Sequence, residues 1–313
     1  MVLYLVRRLL ASIPVIFIVG VLTFSILHIA PGDPAVLMAG EEATPEDVEE
    51  MRRALGFDKP IIEQFARWVG RLLKGDLGTS IFSQHSITSL MKPRIQPTLS
   101  LAALAITLSI GIGVPIGVLA AWKAGSFIDR GVMLFAVLGF SVPVFWLGFL
   151  FIWLFAVKLN LFPAVGFVPI TDGVFPFLRS LTLPALANAI PFSALVARMT
   201  RSTMLEVLNE DYIRTARAKG LSERVVIIRH GLRNASIPIV TVVGLVFAAL
   251  VGGAVVTETV FAIPGLGRLL VDGVVRRDFP IVQAMLMVVA VGYVFVNLMV
   301  DVAYAYLDPR IRY

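Results

Sequence analysis

No cysteine occurs in the chain, which excludes disulfide frameworks and thiolate metal sites and leaves the redox compartment open. Histidine is nearly missing as well. The three, at positions 28, 85 and 230, are scattered and make no recognisable metal site. Charge is scarce: Asp, Glu, Lys and Arg make up 15% of the residues and apolar residues 58%, whereas soluble domains hold about a quarter charged residues. An ordinary soluble domain is thereby excluded, and the bilayer becomes the expected solvent. A phosphate-cradling G-x-x-x-x-G-K-[ST] loop is absent too. Gly70 and Gly75 have its glycine spacing but are followed by Asp76 and Leu77, so no nucleotide hydrolysis is expected of this chain. Neither an internal repeat nor a low-complexity tract is visible.

What is abundant is long apolar runs. A bilayer core about 30 Å thick takes roughly 20 apolar residues per helical span. Six such runs occur: Leu9 to Ala30, Thr98 to Ala121, Gly131 to Val157, Ser180 to Ala197, Ala235 to Thr257 and Phe279 to Val300. The fourth is the shortest and carries both Pro184 and Pro191. With Pro14, Pro115, Pro143 and Pro238, these prolines predict kinked spans, tolerated in a bundle where neighbouring helices re-satisfy freed carbonyls. Arg7 and Arg8 precede the first run as in a signal peptide, yet its length and the following Pro31-Gly32-Asp33-Pro34 argue for a retained span. Gly113 and Gly117 form a GxxxG in the second span, expected to serve close helix packing within the subunit or a dimer seam.

The basic residues give an orientation. With the N-terminus inside, segments 1–8, 122–130, 198–233 and 308–313 hold 14 of the 27 Lys and Arg in 59 positions, against 13 in the 110 positions outside. Basic density is about twice as high inside, as the positive-inside rule requires, so both termini are expected in the cytoplasm. Topology accounts for the net charge of +6, and no nucleic-acid partner is expected. The chain divides into 1–30, the N-terminus and first span; 31–97, an extracytoplasmic helical domain; and 98–313, the core spans. Within 31–97, Thr44 followed by Pro45, Glu46 and Asp47 has the grammar of a capping box closed by Gly56. A second helix is expected from Ile61 to Leu73, with Phe65, Trp68, Val69 and Leu72 on its apolar face. The acidic run Glu41 to Glu50 reads as a solvated helix face or as a docking surface for an external partner.

One polar, basic segment interrupts the spans, from about 203 to 234. The pattern from Arg201 to Lys219 is helical, with Leu205, Leu208, Tyr212 and Ala216 on one face. Gly220 supplies a stop, and Ser222 caps a second short helix running towards Gly231 and Asn234. A helix, a sharp turn and a second short helix near the membrane surface can fit a groove on a soluble protein.

This segment, Glu210-Asp211-Tyr212-Ile213-Arg214-Thr215-Ala216-Arg217-Ala218-Lys219-Gly220-Leu221, resembles the cytoplasmic EAA loop of ABC importer permeases, in the form carried by the dipeptide/oligopeptide family. Pro31-Gly32-Asp33-Pro34, Gly75-Asp76-Leu77-Gly78, Pro264-Gly265-Leu266-Gly267 and Asp308-Pro309-Arg310 are similar to that family's landmarks, in order and spacing. The leading Glu of the general EAA pattern is Arg214 here and its second position Thr215, and the downstream Ile-x-Leu-Pro survives only as Ile237-Pro238. The resemblance implies an all-α integral membrane protein with the six transmembrane helices of a type I ABC importer. It implies a B-type permease of a bacterial or archaeal plasma membrane, paired with a second permease subunit, usually as a heterodimer. Two cytoplasmic ATPase domains, which use ATP and Mg2+, and an extracytoplasmic substrate-binding protein complete the assembly. No cofactor is expected on this chain. It also assigns ATPase coupling to Glu210, Asp211, Tyr212, Arg214, Ala216, Arg217, Lys219, Gly220 and Leu221.

Three further polar positions bear on the pathway. Glu258, beside Thr257 at the outer end of the fifth span, either contacts a substrate amino group, forms an outer gate, or sits solvated at the interface. Asp301 is expected to pair with a basic residue of the inner surface, and His28 to be packing at a span end. A secondary transporter would carry charges at midspan and often an inverted repeat, and neither is visible. A membrane scaffold recruiting a cytoplasmic partner would explain the basic loop but not the ordered landmarks.

Overall fold

A computed structural model describes residues 2–29, 34–39 and 43–307. Pro31-Gly32-Asp33, the first two acids of the Glu41 to Glu50 run, and Asp308-Pro309-Arg310 lie outside the described residues. Apart from one isolated β-bridge between Thr79 and Ser86, every regular element among the described residues is helical. In chain order these are α1 (Val2–Ile29), α2 (Pro34–Ala39), α3 (Pro45–Leu55), α4 (Ile61–Leu73), α5 (Ile87–Trp122), α6 (Phe127–Ser141) and α7 (Val144–Phe151). They continue with α8 (Val174–Leu208), α9 (Asp211–Ala218), α10 (Glu223–Val225), α11 (Arg233–Val260), α12 (Leu266–Arg276) and α13 (Phe279–Leu307).

Among the described residues, five helices are long and apolar enough to cross a membrane: α1, α5, α8, the continuous run through α10 and α11, and α13. The fourth span, short by its apolar run, is the 35-residue α8, and it is the most enclosed of the five. Its interior position explains its mixed composition: a helix surrounded by protein need not be apolar for lipid. Pro184 and Pro191 lie within it, as do Pro14, Pro115 and Pro238 within α1, α5 and α11.

The third span departs from expectation. The run Gly131 to Val157 is not one kinked helix; α6 and the segment Val144–Lys158 are bent by 98°. Val142, preceding Pro143, is extended at φ −86°, ψ 126°, because the proline ring excludes it from helical geometry. The last turns, Ile152–Lys158, are π-helical. At roughly 1.5 Å per residue, α6 alone reaches about 22 Å, short of a hydrocarbon core. The broken unit nonetheless joins both ends of the bundle. Its start is pinned by Asp129 to Arg201 of α8, and Gly148 and the amide of Gly166 meet Phe261 at the far end of α11.

Helices α5 and α8 form the centre. A Cβ on Gly113 would lie 2.8 Å from the Ser193 carbonyl oxygen, and one on Gly117 2.6 Å from that of Ala197. The GxxxG thus packs α5 on α8 inside the subunit rather than forming a seam. Leu101, Ala105, Leu181, Val196, Leu250 and Phe261 build the buried core where α5, α8 and α11 meet. The α1 helix packs at the edge on α13, where Arg8 pairs with buried Asp301, as expected for that acid.

Between α1 and α5, Thr44 and Asp47 form the reciprocal capping box, and Gly56 closes α3 at φ +74°. The Thr44 amide and hydroxyl hold the Asp47 carboxyl below the usual carboxylate range. Instead of resting only on the outer face, α4 lies alongside α1: Phe65 packs on Phe17 and Phe24, and Trp68 on Phe24, with centroids 5.3–6.0 Å apart. The His28 ring stacks on Phe24 and bonds Gln64 at 3.1 Å. The last residues assigned to this domain, from Ile87, already belong to α5.

Candidate coupling surface and outer clasp

The polar segment breaks once more than its pattern suggests. Helix α8 ends at Leu208, where the Asn209 side chain donates to the Leu205 carbonyl at 2.9 Å and satisfies one of the end carbonyls. Glu210 is extended, at φ −69°, ψ 149°, so α9 starts in a new direction. The expected continuous helix from Arg201 to Lys219 is therefore two helices. This break also changes the buried face. Ile213 and Ala216 are buried against Val226 and Leu208, whereas Tyr212, expected beside Leu208, is 40% exposed.

The turn after α9 is built as its residues require. Gly220 has φ +78° with open space where a Cβ would be. Its amide donates to the Arg217 carbonyl at 2.9 Å. Across the turn, the Arg217 guanidinium engages Glu223 with two contacts, at 2.9 and 3.4 Å, and Asn234 donates to the Tyr212 hydroxyl at 3.0 Å. No separate second short helix follows. From Ser222, α10 runs through a π-helical stretch, Val226–Leu232, straight into α11. Gly231 in that stretch lets Met204 and Leu208 of α8 approach closely. What faces outward is a small polar surface: Glu210, Asp211, Arg214, Lys219 and Leu221 are all exposed.

Below this surface, Asp129 takes a bidentate grip from Arg201, with Nη2 to Oδ2 at 2.7 Å, and also accepts the Gly125 amide at 2.9 Å. It ties the start of α6 to α8, about two turns before α8 ends at Leu208. Sequence reading gave this pair no role. Its two members are distant in the chain, and each looks like an ordinary inner-surface charge.

At the other end of α11, Glu258 is wholly buried, which corrects the expectation of a solvated position. The Thr98 hydroxyl donates to Oε1 at 2.5 Å, and the Arg268 amide to Oε2 at 2.9 Å. Thr98 in turn accepts the Leu266 amide at 2.8 Å. One carboxylate and one hydroxyl thus fasten α5, α11 and the start of α12, where an acid also suits the helix N-terminus. A Cβ on Gly265 would sit 2.1 Å from the Glu258 carboxylate, so Pro264-Gly265-Leu266-Gly267 has its glycine for close approach. Thr257, equally buried, donates to Asn188 of α8 at 3.1 Å. Neither side chain faces an opening in this conformation. Asn188 lies about 20 Å along α8 from Arg201 at helical rise, which puts the clasp well across the bundle from the coupling surface.

Comparison with known proteins was consistent along the whole chain. Residues 1–102 match the family described as "Binding-prot-dependent transport system membrane comp, N-term", and residues 113–313 that described as "Binding-protein-dependent transport system inner membrane component". A probable peptide ABC transporter permease of Sinorhizobium fredii is 46% identical, covering 99% of both chains. A glutathione transport system permease of Escherichia coli is 44% identical, again covering 99% of both. Among solved structures, the inward-facing MetNI methionine ABC transporter matches 71% of this chain and 97% of its own, with TM-score 0.60 at 19% identity. The chain belongs to the family of inner membrane components of binding-protein-dependent transport systems, and its fold is that of a type I ABC importer permease.

Proposed function

We propose that this chain forms half of the pore of an ATP-driven importer for di- or oligopeptides or a related small solute such as glutathione. An external binding protein delivers the solute, a second permease supplies the other half of the pore, and partner ATPase subunits bind ATP and Mg2+ and hydrolyse the nucleotide. The names of the relatives support the cargo class. Both termini are assigned to the cytoplasm. In support, Arg8 and Asp301 pair at the end of the bundle where Tyr304 bonds Thr241 near the start of α11, so the two chain ends and the coupling segment share one side.

The observation that carries the reading is the two-faced α9. Ile213 and Ala216 seat it against Val226, while Asp211, Tyr212 and Arg214 face outward with Lys219 and Leu221 just beyond. An element held to two spans on one side and free on the other transmits a push only if the ATPases bind it differently in their two states.

Because the chain has no cysteine, single cysteines can be placed cleanly through 210–221. Cross-linking to an ATPase subunit is expected from positions 211, 212, 214 and 221, with yields that change on ATP binding, and not from 213 or 216. Equal yield from the buried positions, or none from any position, would contradict the assignment.

A further inference from the structure

We propose that the outer segment holds an anionic phospholipid, its headgroup in the cavity between α1, α4 and the 76–81 loop and its acyl chains along α1. The cavity measures about 600 Å³, within the roughly 300–1,000 Å³ of small-ligand sites. Its two walls differ in chemistry.

On one side, Arg67 and Arg71 of α4 and Lys74 at its C-cap line it, the two arginines four residues apart on one helix face. Arg67 pairs with Glu63 at 2.5 Å. The other two cations have no ion-pair partner among the described residues. The acid in the lining, Asp76, is engaged by the Gly78 amide at 2.9 Å. Asp76 keeps its charge, but Arg71 and Lys74 outnumber it, so the lining is net positive, outside the membrane, where the positive-inside rule gives basic residues no purpose.

On the other side the wall is apolar and belongs to the first span. Phe24, Leu27 and the buried Trp68 line it, and further along α1, on the face of Phe24 by helical period, Ile13 and Phe17 stand 55% and 58% exposed. Pro280 and Gln283, at the outer start of α13, complete the lining. The cavity thus opens where two spans leave the bilayer, with cations above and apolar surface below. A soluble anion has no use for the apolar wall, and an acidic protein surface does not reach down beside a span. A phospholipid matches both: Arg and Lys take the phosphate oxygens, and the acyl chains continue along the apolar face of α1, the arrangement by which basic pockets between spans hold anionic headgroups.

Gly70 lines the same cavity and has open space at its Cβ position, so Gly70→Trp places a bulky side chain at the site. Arg71→Glu with Lys74→Glu reverses its charge at exposed positions. The test is native mass spectrometry of the chain, purified with its partners in mild detergent and titrated with phosphatidylglycerol or phosphatidylcholine, then challenged with inorganic phosphate or polyglutamate. The unaltered complex is expected to retain one more phosphatidylglycerol than either variant, at least fivefold in preference to phosphatidylcholine, and to keep it in excess inorganic phosphate. Equal retention by both variants, equal retention of phosphatidylcholine, or release by inorganic phosphate or polyglutamate would overturn the proposal. The last two outcomes would point to a free-anion site or to an acidic protein partner instead.

Discussion

Gly220 lies before, and Glu258 near the end of, the continuous helical run from α10 through α11, and each illustrates how one residue's physics sets its sensitivity. Gly220 occupies the left-handed region with nothing near its Cβ position, so the cost of substitution is conformational rather than steric: about 1–2 kcal/mol for an ordinary L-residue and less for Asn, which tolerates that region. Gly220→Asn is therefore expected to keep most ATP-dependent uptake in proteoliposomes and Gly220→Val to lose most of it. Equal loss in both would mean that the side chain itself blocks a partner. Glu258 is limited by its neighbours. Thr98→Val removes a donor from a buried carboxylate and leaves the Leu266 amide unsatisfied, which costs about 1–3 kcal/mol for each buried group; a lowered unfolding temperature in detergent checks it. Gly265→Ala should be at least as damaging, because its Cβ has no place beside the carboxylate. The sequence pointed to Glu258 as unusual but not to its partners. Thr98 is the first residue of an apolar run and carries no local signal of a bond to a residue 160 positions away.

At the scale of elements, local grammar was readable wherever a residue's conformation was decided by its neighbours. The start and close of α3 and the stop after α9 follow from Thr44, Gly56 and Gly220 themselves. Readings failed where tertiary contact decided the outcome. The apolar run 131–157 has no composition signal for a 98° bend; Pro143 alone marks it, and the other five prolines of the apolar runs sit inside continuous helices. The break at Asn209 was masked by a helical pattern that runs through it, and with the break went the correct buried face of α9. A third element-level feature is the Asp129 to Arg201 pair joining α6 to α8 just before α9. Arg201 keeps some exposure, so breaking the pair with Asp129→Asn should cost roughly 2 kcal/mol, below the 3–5 kcal/mol of a fully buried pair. The exchange Asp129→Arg with Arg201→Asp should recover part of both stability and uptake. An exchange no better than the single change would mean that the pair does not act through α6 and α8.

For the whole molecule, the membrane character and the assignment of the chain to an importer were legible in the sequence because each rests on patterns repeated along it: apolar runs, basic asymmetry, and landmarks in order. The structure adds what joins them. The candidate coupling surface at one end and the loop fastened by Glu258 at the other are connected by the same long helix, α11, with α8 packed along it. The central claim is that the exposed face of α9 is where ATPase subunits attach. It is tested most directly by purifying the tagged chain in mild detergent from its native membrane, with and without the changes Asp211→Lys and Arg214→Glu. Both positions are exposed, so the fold should survive. Recovery of ATPase subunits and a second permease with the unaltered chain, and of the permease without the ATPases after the changes, is the predicted result. Equal ATPase recovery with the altered face would contradict the claim, as would recovery of the chain alone when a known complex survives the same extraction.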